Sequence, residues 1–161
     1  MRIVYWSIIG LSWLSWSCKS TSENRQALRV AEPAQLPSLS FKPYPIDSTK
    51  IDSLPSGLKI YIHRKGTGNL PKPGQRVMVH YHGVLTNGQK FDSSYERGQP
   101  FDFILGQGQV IKGWDEGIAQ LPIGSQAVLI VPPALGYGDR DMGVIPPNST
   151  LIFYVEILAA M

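Results

Sequence analysis

The stretch Val110-Ile111-Lys112-Gly113-Trp114-Asp115-Glu116-Gly117-Ile118-Ala119-Gln120 decides the fold. Trp114, Ile118 and, just beyond it, Leu121 fall at i, i+4 and i+7, which is one face of a helix. Asp115 and Glu116 lie in the expected first turn, where a carboxylate meets the positive end of the helix dipole for about 0.3–1 kcal/mol. Pro122 helps end the helix. The two acids are sequence neighbours, so they do not face each other across a substrate as a hydrolytic pair must. They read as dipole partners rather than catalysts.

Outward from this helix the periodicity changes to two. Leu58, Ile60 and Ile62 alternate in GLKIYIHRKG, and Val77, Val79 and Tyr81 alternate with Met78, His80 and His82 in RVMVHYHGVL. Asn87-Gly88 supplies a hairpin turn after it. Phe101, Phe103 and Leu105 mark another inward face, AVLIVPP is a strand stopped by proline, and LIFYVEIL turns Leu151, Phe153, Val155 and Ile157 inward and Glu156 outward. Strands packed on one helix define an α+β domain, a curved antiparallel sheet wrapped against that helix.

This domain is expected to span residues 56–161. Residues 1–17 differ: one arginine precedes a run of mostly apolar residues from Ile3 to Trp16, too short to cross a bilayer comfortably and suited to a secretory signal peptide. Cys18, the only cysteine, follows Leu14-Ser15-Trp16-Ser17, which excludes an intramolecular disulfide. The arrangement resembles the lipidation site of bacterial lipoproteins, although Ser15 stands where leucine is usual. It implies an acylated Cys18 that holds the domain on a membrane of a bacterial cell envelope, facing the periplasm, by burying methylenes at about 0.8 kcal/mol each. Residues 18–55, with prolines at 33, 37, 43 and 45, read as a semi-extended tether that is loose even around Phe41 and Tyr44. Trp6, Trp13 and Trp16 fall in the signal, leaving Trp114 as the only tryptophan of the mature chain.

A net charge of +3 without a basic cluster excludes a nucleic-acid footprint. The chain has no phosphate loop, nucleophile elbow or metalloprotease motif. Gly106-Gln107-Gly108 is too short a signal to interpret, and His80 and His82 read as a solvated strand face rather than metal ligands. The remaining constellation mixes apolar and polar groups: Tyr81, Phe91, Asp92, Phe101, Phe103, Val110, Ile111, Trp114, Tyr137, Ile145 and Phe153. A carboxylate and two phenols in that company need polar partners, and an apolar pocket with a few converging polar groups accounts for the mixture better than a closed core does.

The ordered motifs VHY, FDSS, PF, VIKGWDEG, YG and IPP with a terminal LIFYVE strand closely resemble the FKBP-type peptidyl-prolyl cis-trans isomerases, over Ser56 to Leu158. The resemblance implies a twisted antiparallel sheet of five or six strands around one short helix. It implies that Trp114 floors a pocket for the substrate proline, walled by Tyr81, Phe91, Phe101, Val110, Ile111 and Phe153. Asp92 and Tyr137 would be its polar lips, with Tyr81, Phe91, Asp92 and Tyr137 the catalytic set. Arg97 would orient Asp92, the Ile111 N–H would donate to a substrate carbonyl, and Ile145 would overhang the pocket. The loop 139–143 is one residue shorter than usual in such proteins, and Gly136 stands where alanine is common. The implied partners are proline-containing polypeptide clients and macrolides of the tacrolimus type, bound by a monomer with no cofactor and no metal. Two other readings use the same residues: a non-catalytic module that holds proline-containing segments, and a hydrolase built on Asp92, Asp102 or Asp115.

Overall fold

A computed structural model describes residues 41–161. Seven strands and one helix follow in the order β1 (Ile51–Ser53), β2 (Lys59–Arg64), β3 (Arg76–Leu85), β4 (Lys90–Ser93), β5 (Phe101–Ile104), α1 (Lys112–Ile118), β6 (Gln126–Val131) and β7 (Leu151–Ala160). The sheet is antiparallel throughout and runs β1-β2-β6-β7-β3-β4. β5 joins the same edge of β3 as β4, pairing with Arg76 to Val79 while β4 pairs with His82 to Val84. These two therefore form one interrupted edge strand, and Asp92 and Phe101 lie on opposite sides of the gap.

The architecture is the expected antiparallel sheet on one short helix. The strand count rises by Ile51–Ser53, which pairs with β2 although it lies in the stretch assigned to the tether. The alternation in β3 and β7 sends Val77, Val79, Tyr81, Leu85, Leu151, Phe153, Val155 and Ile157 to the concave face, all of them buried. Each such side chain contributes about 1.5–3 kcal/mol relative to exposure.

Helix α1 lies against this face, and its glycines permit the contact. A Cβ on Gly113 would stand 2.6 Å from Val131 Cγ1, and one on Gly117 would stand 2.9 Å from Leu129 Cδ2. Trp114, Ile118 and the following Leu121 are then buried against the sheet. The acids do more local work than the dipole reading allowed. Asp115 accepts backbone N–H bonds from Gly106 (2.8 Å) and Gly108 (3.1 Å), and Glu116 accepts from the Ser56 hydroxyl (2.6 Å). Gly106 and Gly108 have φ of 74° and 67°, the left-handed region that glycine enters without a Cβ penalty. The Gly106-Gln107-Gly108 signal is thus a turn tied to the helix that carries Trp114.

The outer face of the sheet is covered, not solvated. Phe41 stacks on His82 with centroids 4.6 Å apart, Tyr44 stacks on His63 at 4.1 Å, and Tyr95 stacks on His80 at 4.7 Å. The Tyr44 hydroxyl donates to the Ala127 carbonyl at 2.8 Å. Residues 41–47 therefore form a strap on the sheet rather than a loose linker, and Tyr61 and His80 are buried. Segment 1–17, Cys18 and the tether before residue 41 lie outside the described residues.

Candidate functional site

On the concave face, a pocket of about 330 Å³ opens between the β4–β5 gap, the start of α1 and the loop before β7. Tyr81, Phe91, Asp92, Phe101, Val110, Ile111, Trp114, Tyr137, Ile145 and Phe153 all line it. Three further lining residues, Gln109, Met142 and Val144, escaped the sequence reading. Met142 and Val144 are about half exposed, at 48% and 56%, so an apolar rim stands open above the pocket. Their signal in the sequence is weak, because two apolar residues in a polar loop fix no direction.

The floor is built from edge-to-face rings. Trp114 meets Tyr81 at 5.0 Å and 83°, and Phe153 at 5.2 Å and 81°. Phe91 closes on Phe153 at 5.4 Å and 85°. Perpendicular contacts set the positive edge of one ring against the negative face of another. They also leave a box rather than a filled stack. Gly83 makes room for one wall, since a Cβ there would stand 2.6 Å from two Phe91 ring atoms. Trp114 is only 4% exposed and its Nε1 has no hydrogen-bond partner among the described residues.

Three polar groups meet at one lip. The Tyr81 hydroxyl donates to Asp92 Oδ2, and Arg97 donates through Nη1 to Asp92 Oδ1 and through Nη2 to the Tyr81 oxygen at 2.9 Å. The Ser93 N–H adds a bond to Asp92 Oδ1 at 2.7 Å. Arg97 does not line the pocket but fixes two groups that do. Desolvation pushes the Asp92 carboxyl up, and the bonds from Tyr81 and Arg97 outweigh it, holding the group below the ordinary carboxylate value. Desolvation and the bond to Asp92 push the Tyr81 phenol up to about 12. Tyr137 is also raised, by desolvation first and the Asp92 charge second. Near neutral pH the site therefore holds an ionised carboxylate and two neutral phenols.

Two donors of the pocket lining remain free among the described residues. The Ile111 N–H and the Tyr137 hydroxyl have no acceptor among the described residues. The arrangement can hold a small apolar ring above Trp114 while donating to a neighbouring carbonyl. It offers no nucleophile paired with a base. Asp102 points outward to Arg76 Nη1 at 2.5 Å, and Asp115 is tied to the glycine turn, so the hydrolase reading has no carboxylate pair. No group of three or more potential metal ligands exists among the described residues, where the helix is also too short to cross a membrane.

Residues 68–158 match the family described as FKBP-type peptidyl-prolyl cis-trans isomerase. The chain is 55% identical over 103 residues to FK506-binding protein 1 of Dictyostelium discoideum, covering 63% of this chain and 96% of that protein. It is 51% identical over 105 residues to a peptidyl-prolyl cis-trans isomerase of Schizosaccharomyces pombe, covering 64% of this chain and 94% of that protein. Among solved structures, AtFKBP13 superposes with a TM-score of 0.67 at 41% identity, covering 69% of this chain and 98% of that one.

Proposed function

The chain belongs to the FKBP-type peptidyl-prolyl cis-trans isomerase family, and on that premise we propose that it catalyses X–Pro rotation in exported proteins from a membrane surface to which Cys18 ties it. Isomerisation of the peptidyl-prolyl bond is the activity of the family and of this domain with its aromatic cluster. The exported clients are the further step, supported by the signal-like residues 1–17 and the position of Cys18. The carrying observation is the 330 Å³ pocket walled by aromatic rings above Trp114, beside a carboxylate that already has its partners.

The X–Pro bond is kept planar by resonance, with a barrier of about 18–20 kcal/mol and exchange over tens to hundreds of seconds. Rotation forms and breaks no bond, so it needs only a site that favours the twisted amide over the planar one. Resonance makes the planar amide the more polar state, and the box of Phe91, Phe101, Trp114 and Phe153 replaces the water that favours it. Asp92 does not titrate in this cycle. Its carboxylate, fixed by Tyr81 and Arg97, is a preorganised charge at the lip rather than a base. The Ile111 N–H and Tyr137 hydroxyl hold substrate carbonyls, which keeps the proline seated while the preceding residue turns. Shortening exchange to about a millisecond takes about five decades, or about 7 kcal/mol. Terms of about 1–3 kcal/mol from desolvation, donor bonds and ring packing reach that sum.

The names of the relatives support tacrolimus-type macrolides as ligands of this same box. Two measurements test the activity and its pocket. A protease-coupled assay on an X–Pro peptide should show catalysed exchange, and macrolide should quench or shift Trp114 fluorescence in the chain beginning at Cys18. Macrolide binding with no acceleration would favour the holding module instead. For the anchor, fatty acid should be incorporated by the natural chain and not by Cys18→Ser, with the natural chain in the envelope membrane fraction; equal labelling of both removes the tether.

A further inference from the structure

The interruption between β4 and β5 is closed by one side chain. β5 serves Arg76 to Val79 and β4 serves His82 to Val84, which leaves His80 and Tyr81 of β3 without a strand on that side. One step beyond the register His82↔Ser93, Tyr81 lies opposite Ser94. The Ser94 N–H donates to the Tyr81 carbonyl at 3.0 Å, as a ladder residue would. The return bond differs. The Tyr81 N–H donates at 2.8 Å to the Ser94 hydroxyl oxygen, where a strand would offer a carbonyl. The side chain thus ends the ladder, and the backbone leaves it through a turn in which the Gly98 N–H donates to the Tyr95 carbonyl at 3.1 Å. Arg97 of that turn reaches back to Asp92 and to the Tyr81 hydroxyl.

Ser94 and Tyr81 are both buried, and Ser94 is 0% exposed. Its Oγ also lies 3.0 Å from His80 Nδ1 and 3.2 Å from the Tyr81 carbonyl. A hydroxyl has one proton and two lone pairs. Where His80 Nδ1 is an acceptor, Ser94 donates to it; where Nδ1 carries a proton, Ser94 accepts it and donates to the Tyr81 carbonyl. In either state one lone pair stays with the Tyr81 N–H, so that bond survives whatever proton His80 carries.

We infer that Ser94 is a positioning residue of the isomerase: its hydroxyl holds Tyr81 in register and aims the Tyr81 hydroxyl at Asp92, while the turn that it starts delivers Arg97 to the same carboxylate. The inference rests on the isomerase reading above, because it concerns the lip of that site. Ser94 does not line the pocket, so it acts through Tyr81 and Arg97. Without the hydroxyl the Tyr81 N–H is left buried and unpaired, and the strand edge must shift to relieve it.

The test is a double-mutant cycle of Ser94→Ala with Asp92→Ala, in the full chain in detergent micelles. Exchange of an X–Pro peptide is followed at a temperature where calorimetry shows every variant folded. The cycle is repeated with Ser94→Cys, whose sulfur is a weaker acceptor in the same place. Each Ser94 substitution should lower kcat/KM by about two- to tenfold, the scale of one hydrogen bond. In the Asp92→Ala background no carboxylate remains to be aimed at, and the same substitutions should lower kcat/KM by less than about twofold, the non-additivity of groups that act as one unit. Equal factors in the two backgrounds would make Ser94 a residue of stability alone and overturn the inference. Unchanged kcat/KM for both Ser94 variants overturns it too, and either result leaves the isomerase reading standing. Failure of the natural chain to accelerate any X–Pro peptide overturns that reading, and the inference with it.

Discussion

The two faces of the sheet carry aromatic clusters built on alternate residues of the same strand: Tyr81 of β3 faces Trp114, while His80 and His82 face Tyr95 and Phe41. Around the pocket floor the rings meet near the perpendicular, at 83° between Tyr81 and Trp114 and 81° between Trp114 and Phe153, and enclose space, although Phe101 stacks on Phe103 at 21° beside them. On the outer face the histidines are stacked upon, at 22° between Phe41 and His82 and 15° between Tyr44 and His63, and Tyr154 closes edge-on against Tyr44 at 82°, so the space is filled. The difference lies in who supplies the last ring. The strap 41–47 brings Phe41 and Tyr44 to the outer face, whereas on the concave face the pocket of about 330 Å³ beside the β4–β5 gap is filled by no ring among the described residues. Aromatic richness alone does not make a site; an unfilled place in the packing does.

The largest effect that tests this contrast is on catalysis. Phe91→Ala and Asp92→Ala should each lower kcat/KM by about ten- to a hundredfold, as removing one or two terms of about 1–3 kcal/mol requires. Phe41→Ala, on the other face, should stay within about twofold of the natural chain. Trp114→Leu should keep most of the activity, because an apolar floor survives. A Phe41→Ala loss as large as that of Phe91→Ala would mean that the faces are not separate.

Stability comes next in size and separates helix seating from pocket chemistry. Gly113→Ala places a Cβ 2.6 Å from Val131 Cγ1 and should cost about 1–3 kcal/mol. For a domain of this size that lowers Tm by about 4–8 °C per kcal/mol, readable by calorimetry. An unchanged Tm would show that the helix does not need this close approach.

The concave face was largely legible in the sequence because its residues sit at fixed phases of strands and one helix. Tyr81 alternates with His80, and Trp114 with Ile118 sets the helix face, so direction follows from period. The outer face was not. Prolines at 43 and 45 exclude helix and ladder, but they do not exclude docking, and the strap makes its contacts through Phe41 and Tyr44 without regular secondary structure. Period says that His80 and His82 share a face and does not say what covers them. Met142 and Val144 were missed for the same reason, since a loop path has no phase. The Gly113 and Gly117 spacing was in view, and its i, i+4 step onto the helix face nearest the sheet was the available sign of a flush helix.

A smaller effect probes how the strap is held. Tyr44→Phe removes the bond to the Ala127 carbonyl and should cost about 0.5–1.5 kcal/mol, with kcat/KM unchanged. Denaturant midpoints at constant m measure it. No change in midpoint would make the strap a passive cover.

The smallest effect is the pH dependence, and it should divide the two faces. Desolvation holds His80 and His82 below the ordinary histidine value of 6.5, against the opposing pull of Glu156 on the first and Glu96 on the second, with Lys90 reinforcing the second. The buried Nδ1 of His82 has no partner among the described residues. A histidine with a depressed folded value binds fewer protons folded than unfolded below about pH 6.5, so its contribution is complete above that value and is lost as pH falls. The unfolding free energy should therefore decline from about pH 7 toward pH 5. His82→Phe keeps the stacking ring and removes the proton site, and should flatten that slope. On the concave face no group titrates in this window: Asp92 is held below its ordinary value, Tyr81 stands at about 12 and Tyr137 is raised. kcat/KM measured on folded protein should stay level over the range in which stability slopes, because the proton-sensitive rings of His80 and His82 lie on the outer face, against Tyr95 and Phe41, and neither lies beside the proline.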